Sequence, residues 1–260
     1  MAAPIDVCAL CLKKRTLRKS HLIAAAVLRQ LRGSGFNNPN PYIMSLDYVG
    51  QSSAQAQQYL LCHECEQRFN RNGEKWVAAN CYCPQKKTFR LREKLEGTLP
   101  ILSGPQGGAY DASKIPKIDI KKLVYFGASV IWRASLRSWQ LQKQVYQPIE
   151  ICPTYKEELR LYLLGRPFPQ NAVATVYVST LDAPLLLAGF PDSLAEDSIQ
   201  VHRFYIPGIW FLLLLGENIP EESRKMCILR SPFHPICLYV GTDALLHEIS
   251  YKLYINNRRP

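Results

Sequence analysis

YLLCHECEQRFN, residues 59–70, runs from an aromatic and two leucines into a Cys-x-x-Cys pair, Cys62 and Cys65, and then into a polar, charged run. A turn of that spacing brings two sulfurs onto one ion, but a closed tetrahedral site needs four ligands. The second pair stands upstream in CALC, as Cys8 and Cys11. Together the two pairs supply the four thiolates of a structural zinc site. His63 is a substitute ligand in principle, though four cysteines already suffice. Residues 12–61 lie between the pairs, more than a minimal zinc ribbon uses, so that interval is expected to carry function.

Outward from the cysteines, the composition is that of a folded protein. The chain has 260 residues, 47% hydrophobic and 20% charged, enough to bury a sizeable core and incompatible with wholesale disorder. Lys and Arg outnumber Asp and Glu by 32 to 21, a net charge of +11. Such a balance favours a polyanionic partner, because each neutralised phosphate releases counterions. Seven basic residues and no acidic one fall between Lys13 and Arg32: Lys13, Lys14, Arg15, Arg18, Lys19, Arg29 and Arg32. They surround His21, which opens the alanine-rich stretch KSHLIAAAVLR (19–29), read as a helix. By itself that stretch leaves open a helix-start residue, a metal ligand or a catalytic base.

The start MAAPIDVCALC lacks the basic and apolar regions of a signal peptide. IWFLLLLG (209–216) falls far short of the roughly 20 apolar residues that span a bilayer. The expectation is a soluble cytoplasmic protein with no membrane partner, in which clustered cysteines bind metal rather than form disulfides. Cys81 and Cys83 lack a matching pair and read as structural, and Cys152, Cys227 and Cys237 read as small core residues.

Composition divides the chain into a cysteine-bearing unit (1–98), a Gly-, Pro- and Ser-rich connector (99–118) and an α+β region (119–260). The first unit holds six of the nine cysteines and ends in the helix-like KKTFRLREKLEG. The last opens with helical periodicity in IDIKKLVYFGASVIWRASLRSWQLQ, followed by TYKEELRLYLLG, a helix closed by Gly165. NAVATVYVSTLD, SIQVHRFYIPGIWFLLLLGE, MCILRS and PICLYVG then read as strands of a mostly antiparallel sheet. TDALLHEISYKLYINNRRP is expected to close the chain as a helix capped by Thr242 or Asp243. Arg133 stands within an apolar helix: if buried it needs a partner, for which Glu150, Glu157 and Glu158 are the candidates, and otherwise it marks a helix edge reaching solvent. Trp132, Trp139 and Trp210 are expected in the core, and His202, His234 and His247 have no ligand-like spacing.

In order, CALC, SHLI and LCHECE resemble the HNH superfamily of treble-clef nucleases, in the variant with Cys-x-x-Cys, Ser-His-aliphatic-aliphatic-Pro and Leu-Cys-x-x-Cys-Glu. The resemblance covers roughly residues 6–80. It implies an α+β protein with an N-terminal zinc-bound treble-clef unit, and a metal-dependent endonuclease acting on nucleic acid, DNA first, in a setting such as phage defence. Cys8, Cys11, Cys62 and Cys65 match the zinc ligands, and His21 the general base. Glu66 matches the residue that holds a catalytic Mg²⁺ or Mn²⁺, with Asn70, four residues on, as a further oxygen ligand. Asn72 and Glu74 are others within reach. Ser20 stands where relatives carry a metal-binding Asp or His, the expected Pro is an alanine, and Asn37, Asn38 and Asn40 match the middle Asn by composition only.

Phosphodiester hydrolysis needs an oriented water, a base and a cation on the growing charge. His21 and Glu66 meet that minimum if they converge. Lys13, Lys14, Arg15, Arg18, Lys19, Arg68 and Arg71, with Lys75, are the expected phosphate contacts. Two other readings remain. One is a catalytically silent zinc module that binds nucleic acid or protein. The other is an adaptor or inhibitor whose C-terminal sheet pairs through RFYIPGIWFLLLLG, read as an edge, with a protein partner.

Overall fold

The computed structural model describes residues 2–30, 42–44, 49–51, 55–105, 107–141, 144–180, 187–196 and 198–239. The chain is mixed α+β. Its centre is the helix Ile120–Ala134, opened by Asp119, whose carboxylate accepts from the Lys122 amide at 3.0 Å. Every residue from Leu123 to Ala134 is buried, so this helix has no solvent face and is packed on all sides. One side rests on the sheet through Phe126, whose ring meets Phe204 and Phe211. The others meet the helix Pro153–Leu163 and the segment Asn70–Asn80.

Among the described residues the sheet has nine strands, in the order Val49–Gln51, Tyr42–Met44, Leu187–Glu196, Ile199–Ile206, Ile209–Leu215, Ala172–Ser179, Pro235–Tyr239, Gly107–Asp111, Leu102–Gly104. Two neighbouring pairs are parallel, Ala172–Ser179 with Pro235–Tyr239 and Leu187–Glu196 with Tyr42–Met44; the rest are antiparallel. Pro207 and Gly208 join two strands in a two-residue turn, with Gly208 at φ +76°. A β-carbon there would lie 2.4 Å from the Phe89 ring, so the turn needs glycine on both counts.

Several sequence expectations change. RFYIPGIWFLLLLG is interior to the sheet, paired on both sides, and offers no free edge. MCILRS is a turn rather than a strand: the amides of Arg230 and Ser231 both donate back to Cys227, and Ile228 is tied to Ala174. Its apolar residues, Cys227 and Ile228, are buried plugs, which is why they looked strand-like. The Gly- and Pro-rich stretch 99–118 supplies two sheet strands and a short 3₁₀ turn. The main hydrophobic core contains residues from Cys8 to Leu238, and a smaller cluster gathers Val173, Ile219 and Cys227. Asn37, Asn38, Asn40 and the segment from residue 242 onward lie outside the described residues. Among the described residues no helix is long and apolar enough to cross a membrane.

The N-terminal part forms a separate three-stranded sheet, Ile5–Val7, Lys14–His21 and Gln57–Cys62, running straight into the helix His63–Phe69. That helix continues through a π-helical turn, Asn70–Glu74, into Lys75–Asn80. His21 is therefore the last residue of a strand, and the helix of KSHLIAAAVLR begins only at Ala25.

Candidate metal centre and the polar cluster beside it

Cys8 and Cys11 flank a tight loop. The Cys8 amide donates to Lys13 O and the Leu12 amide to Cys8 O, with Leu12 in the left-handed region at φ 57°. Arg160 pins the loop from the helix Pro153–Leu163 by donating to Leu10 O at 2.6 Å. Cys62 ends a strand and Cys65 lies in the first turn of the helix that follows. The four sulfurs lie within 4.8 Å of one another, Cys11 and Cys62 at 3.9 Å. Four sulfurs about 2.3 Å from one tetrahedral ion would be about 3.8 Å apart.

The electrostatics point the same way. The Cys65 thiol and nearby amides stabilise a thiolate on Cys8, whose pKa falls to about 4. Burial lifts Cys62 to about 11, and the Cys8 thiolate and burial push Cys65 up. One negative charge is tolerated and further ones repel, so four thiolates require a cation in their midst. The cluster can hold a metal such as zinc. His63 is exposed and outside the four. Cys83 accepts from Arg90 at 3.2 Å and Cys81 donates to Gln30, and among the described residues neither belongs to a group of three or more potential metal ligands.

The second cluster begins at Ser20 and His21. The pairing of Lys14–His21 with Gln57–Cys62 slips between Arg18 and Lys19, skipping Leu60. Strict alternation would bury Lys19 after Leu17; the bulge buries Ser20 instead. Ser20 is fully buried, and its hydroxyl donates to Glu66. Burial raises the Glu66 carboxyl above its ordinary value, while Ser20 and Arg133 pull it down and the Glu74 charge pushes it up.

Glu74 reaches the same place through the π-turn. Eight residues overshoot two α-helical turns by about 0.8 of a residue. A π-turn, whose bonds reach one residue further, absorbs that excess and sets Glu74 back over Glu66. Asn70, at the start of that turn, is exposed, and Asn72 lies beside the Tyr125 hydroxyl, which donates to Leu163 O at 2.7 Å. The partner of Glu74 is Arg133, 3.0 Å away. Glu157, one of the partners expected for Arg133, pairs with Arg160 instead.

His21 is half-buried. Burial lowers its pKa and Arg133 lowers it further, against Glu74, which raises it. The ring is therefore neutral at physiological pH, as a base requires. Its Nε2 lies 2.7 Å from the Gln57 amide nitrogen, and Arg29 is close enough to act on its charge. Sequence reasoning singled out His21 and Glu66, set Arg29 among the basic residues around His21, and missed Arg133 and Gln57 as members of this cluster; the apolar context of VIWRASL was the only signal for Arg133.

Lys13, Lys14, Arg15, Arg18 and Lys19 are all exposed, as are Arg29, Arg71 and Lys75. Arg68 is half-buried and donates to Leu164 O at 3.3 Å, so it fastens one helix to the end of another. Comparison with models of protein families, with curated proteins and with solved structures finds no match for this chain.

Proposed function

We propose that the protein is a metal-dependent phosphodiester hydrolase acting on nucleic acid, DNA first, its site resembling that of HNH nucleases. One observation carries this reading: Ser20 and His21 at a strand end are joined to the helix carboxylates Glu66 and Glu74, Ser20 by donating to Glu66 and His21 through Arg133, beside a four-cysteine cluster. The thiols suit zinc as a structural ion that fixes the strand-to-helix corner on which Glu66 sits. Glu66 and Glu74 suit a hard divalent ion: Glu66 accepts from Ser20, and Glu74 Oε1 lies 3.0 Å from Arg133 yet accepts no hydrogen bond among the described residues. Bound there, Mg²⁺ or Mn²⁺ would neutralise charge developing on the phosphate and leaving oxygen.

This chain's own residues would do the rest. The neutral His21 ring takes a proton from a water that replaces the Gln57 amide at Nε2. The exposed row from Lys13 to Lys19, with Arg29, lines the approach and binds phosphate oxygens without reading bases. The test is incubation of wild type, His21→Ala and Glu66→Gln with plasmid and single-stranded DNA and Mg²⁺ or Mn²⁺. Both variants are expected to lose about 10²-fold or more in rate. Equal cleavage by His21→Ala would remove His21 as base. Absence of cleavage with salt-sensitive binding would favour the silent zinc module instead.

A further inference from the structure

We propose that Arg133 is a positioning residue of this centre: from the long helix it holds both the His21 backbone and the Glu74 carboxylate, so that the region after residue 118 completes a site whose reacting groups all lie before residue 75. The inference rests on the hydrolase reading for its catalytic consequence and on geometry for the positioning itself.

Arg133 is fully buried and cannot touch a substrate. Its Nη1 donates to the His21 carbonyl at 2.8 Å and lies 3.0 Å from Glu74 Oε1. Its Nε donates to Ser129 O at 3.2 Å, and Nη2 to Ser129 Oγ at 3.4 Å, which locks the fork to its own helix. The guanidinium also lies over the Phe69 ring, 5.2 Å from its centre, one residue before the π-turn. Ser20 and His21, adjacent on one strand, are thus each tied to a carboxylate: Ser20 directly to Glu66, His21 through Arg133 to Glu74.

Stability alone is a poor reason for this arrangement. Burying an arginine and a carboxylate costs desolvation that well-packed apolar residues avoid. Fixing two groups from different elements in one geometry is what a planar, multiply bonded guanidinium does well and a lysine does not. Such fixing matters for rate because a displacement of about 1 Å can cost on the order of 10²-fold.

The test uses the full chain with R133M/E74Q, in which neither charge is left unpaired, beside E74Q alone and R133K. Zinc content reports the fold, the nitrogen-15 signals of the His21 ring report its placement, and plasmid cleavage with Mn²⁺ reports kcat and KM. Zinc content is expected to match wild type in all three. In R133M/E74Q the His21 signals should broaden or shift, and kcat should fall about 100-fold below E74Q with KM within about threefold. R133K, which keeps a charge near Glu74 without the fork, should fall between. Unchanged ring signals in the double variant overturn the proposal whatever the rates, as does a kcat within about threefold of E74Q. If wild type cleaves nothing, the hydrolase reading falls, and the ring signals still decide whether Arg133 positions His21.

Discussion

The helical segment from His63 to Asn80 carries two clusters of negative charge, and they are neutralised in opposite ways. At its start four thiols crowd within 4.8 Å, more potential charge than Arg160, which acts on Cys11, can offset. On its π-turn, Glu74 with Glu66 beside it has Arg133, supplied by a helix nearly sixty residues further along the chain. One cluster must recruit its cation from solution; the other has it built in. The first is accordingly the more fragile to conditions and the second to mutation. Cys65→Ala, or a strong chelator, is expected to cost more than about 5 kcal/mol, comparable to the whole stability of a domain. Metal analysis should find about one zinc per chain in wild type and none in the variant, with a matching fall in the urea midpoint. Retention of the wild-type midpoint by metal-free protein would erase the contrast.

The same contrast explains what could be read without coordinates. Two Cys-x-x-Cys pairs announce themselves because each pair is local, and tetrahedral chemistry allows few other uses for four clustered thiols. Long-range partners leave no such mark: nothing around VIWRASL points to Glu74 rather than Glu150 or Glu157, because a buried arginine can be met from any element packed against its helix. His21 was misplaced onto a helix since alanines dominate its C-terminal side, whereas the bulge at Leu60 that aims Ser20 inward is a property of two paired strands. The sheet was legible in its interior strands, where Val, Ile and Leu runs are continuous. It was illegible in 99–118, where glycines and prolines suggest a loop but Gly107–Asp111 pairs in full with Pro235–Tyr239.

His202 shows a third way to keep a titratable group inside: give up the charge. It is fully buried in an interior strand, its Nδ1 2.8 Å from Ser193 Oγ and its Nε2 without a hydrogen-bond partner among the described residues. Burial lowers its pKa from 6.5 to about 4. The sign follows directly. In the unfolded chain the ring takes a proton near pH 6.5, in the folded one only near 4, so stability falls as the pH drops between those values. The loss amounts to roughly 3 kcal/mol across that window. His202→Leu should flatten the curve of urea-unfolding free energy between pH 6.5 and 4; an unchanged slope would show that this histidine is not the acid-sensitive group.

The smallest expected effect separates the two clusters on the helix most sharply. Gly73 sits inside the π-turn, one residue before Glu74, and packs against the long helix: a β-carbon would lie 2.9 Å from the Phe126 backbone nitrogen. Backbone on both sides leaves nothing flexible to move aside. Gly73→Ala must therefore part the helices by a few tenths of an ångström, an overpacking cost of about 1–3 kcal/mol. Alanine's better helix propensity returns about 1 kcal/mol of that. The parting pulls Glu74 from Arg133 while leaving Cys62 and Cys65, at the far end of the helix, in place. The expected outcome is full zinc content, a net loss of up to about 2 kcal/mol in urea unfolding, and a disturbed His21 ring signal. Zinc loss from this variant would mean that the clusters are one cooperative unit rather than two separately neutralised ones.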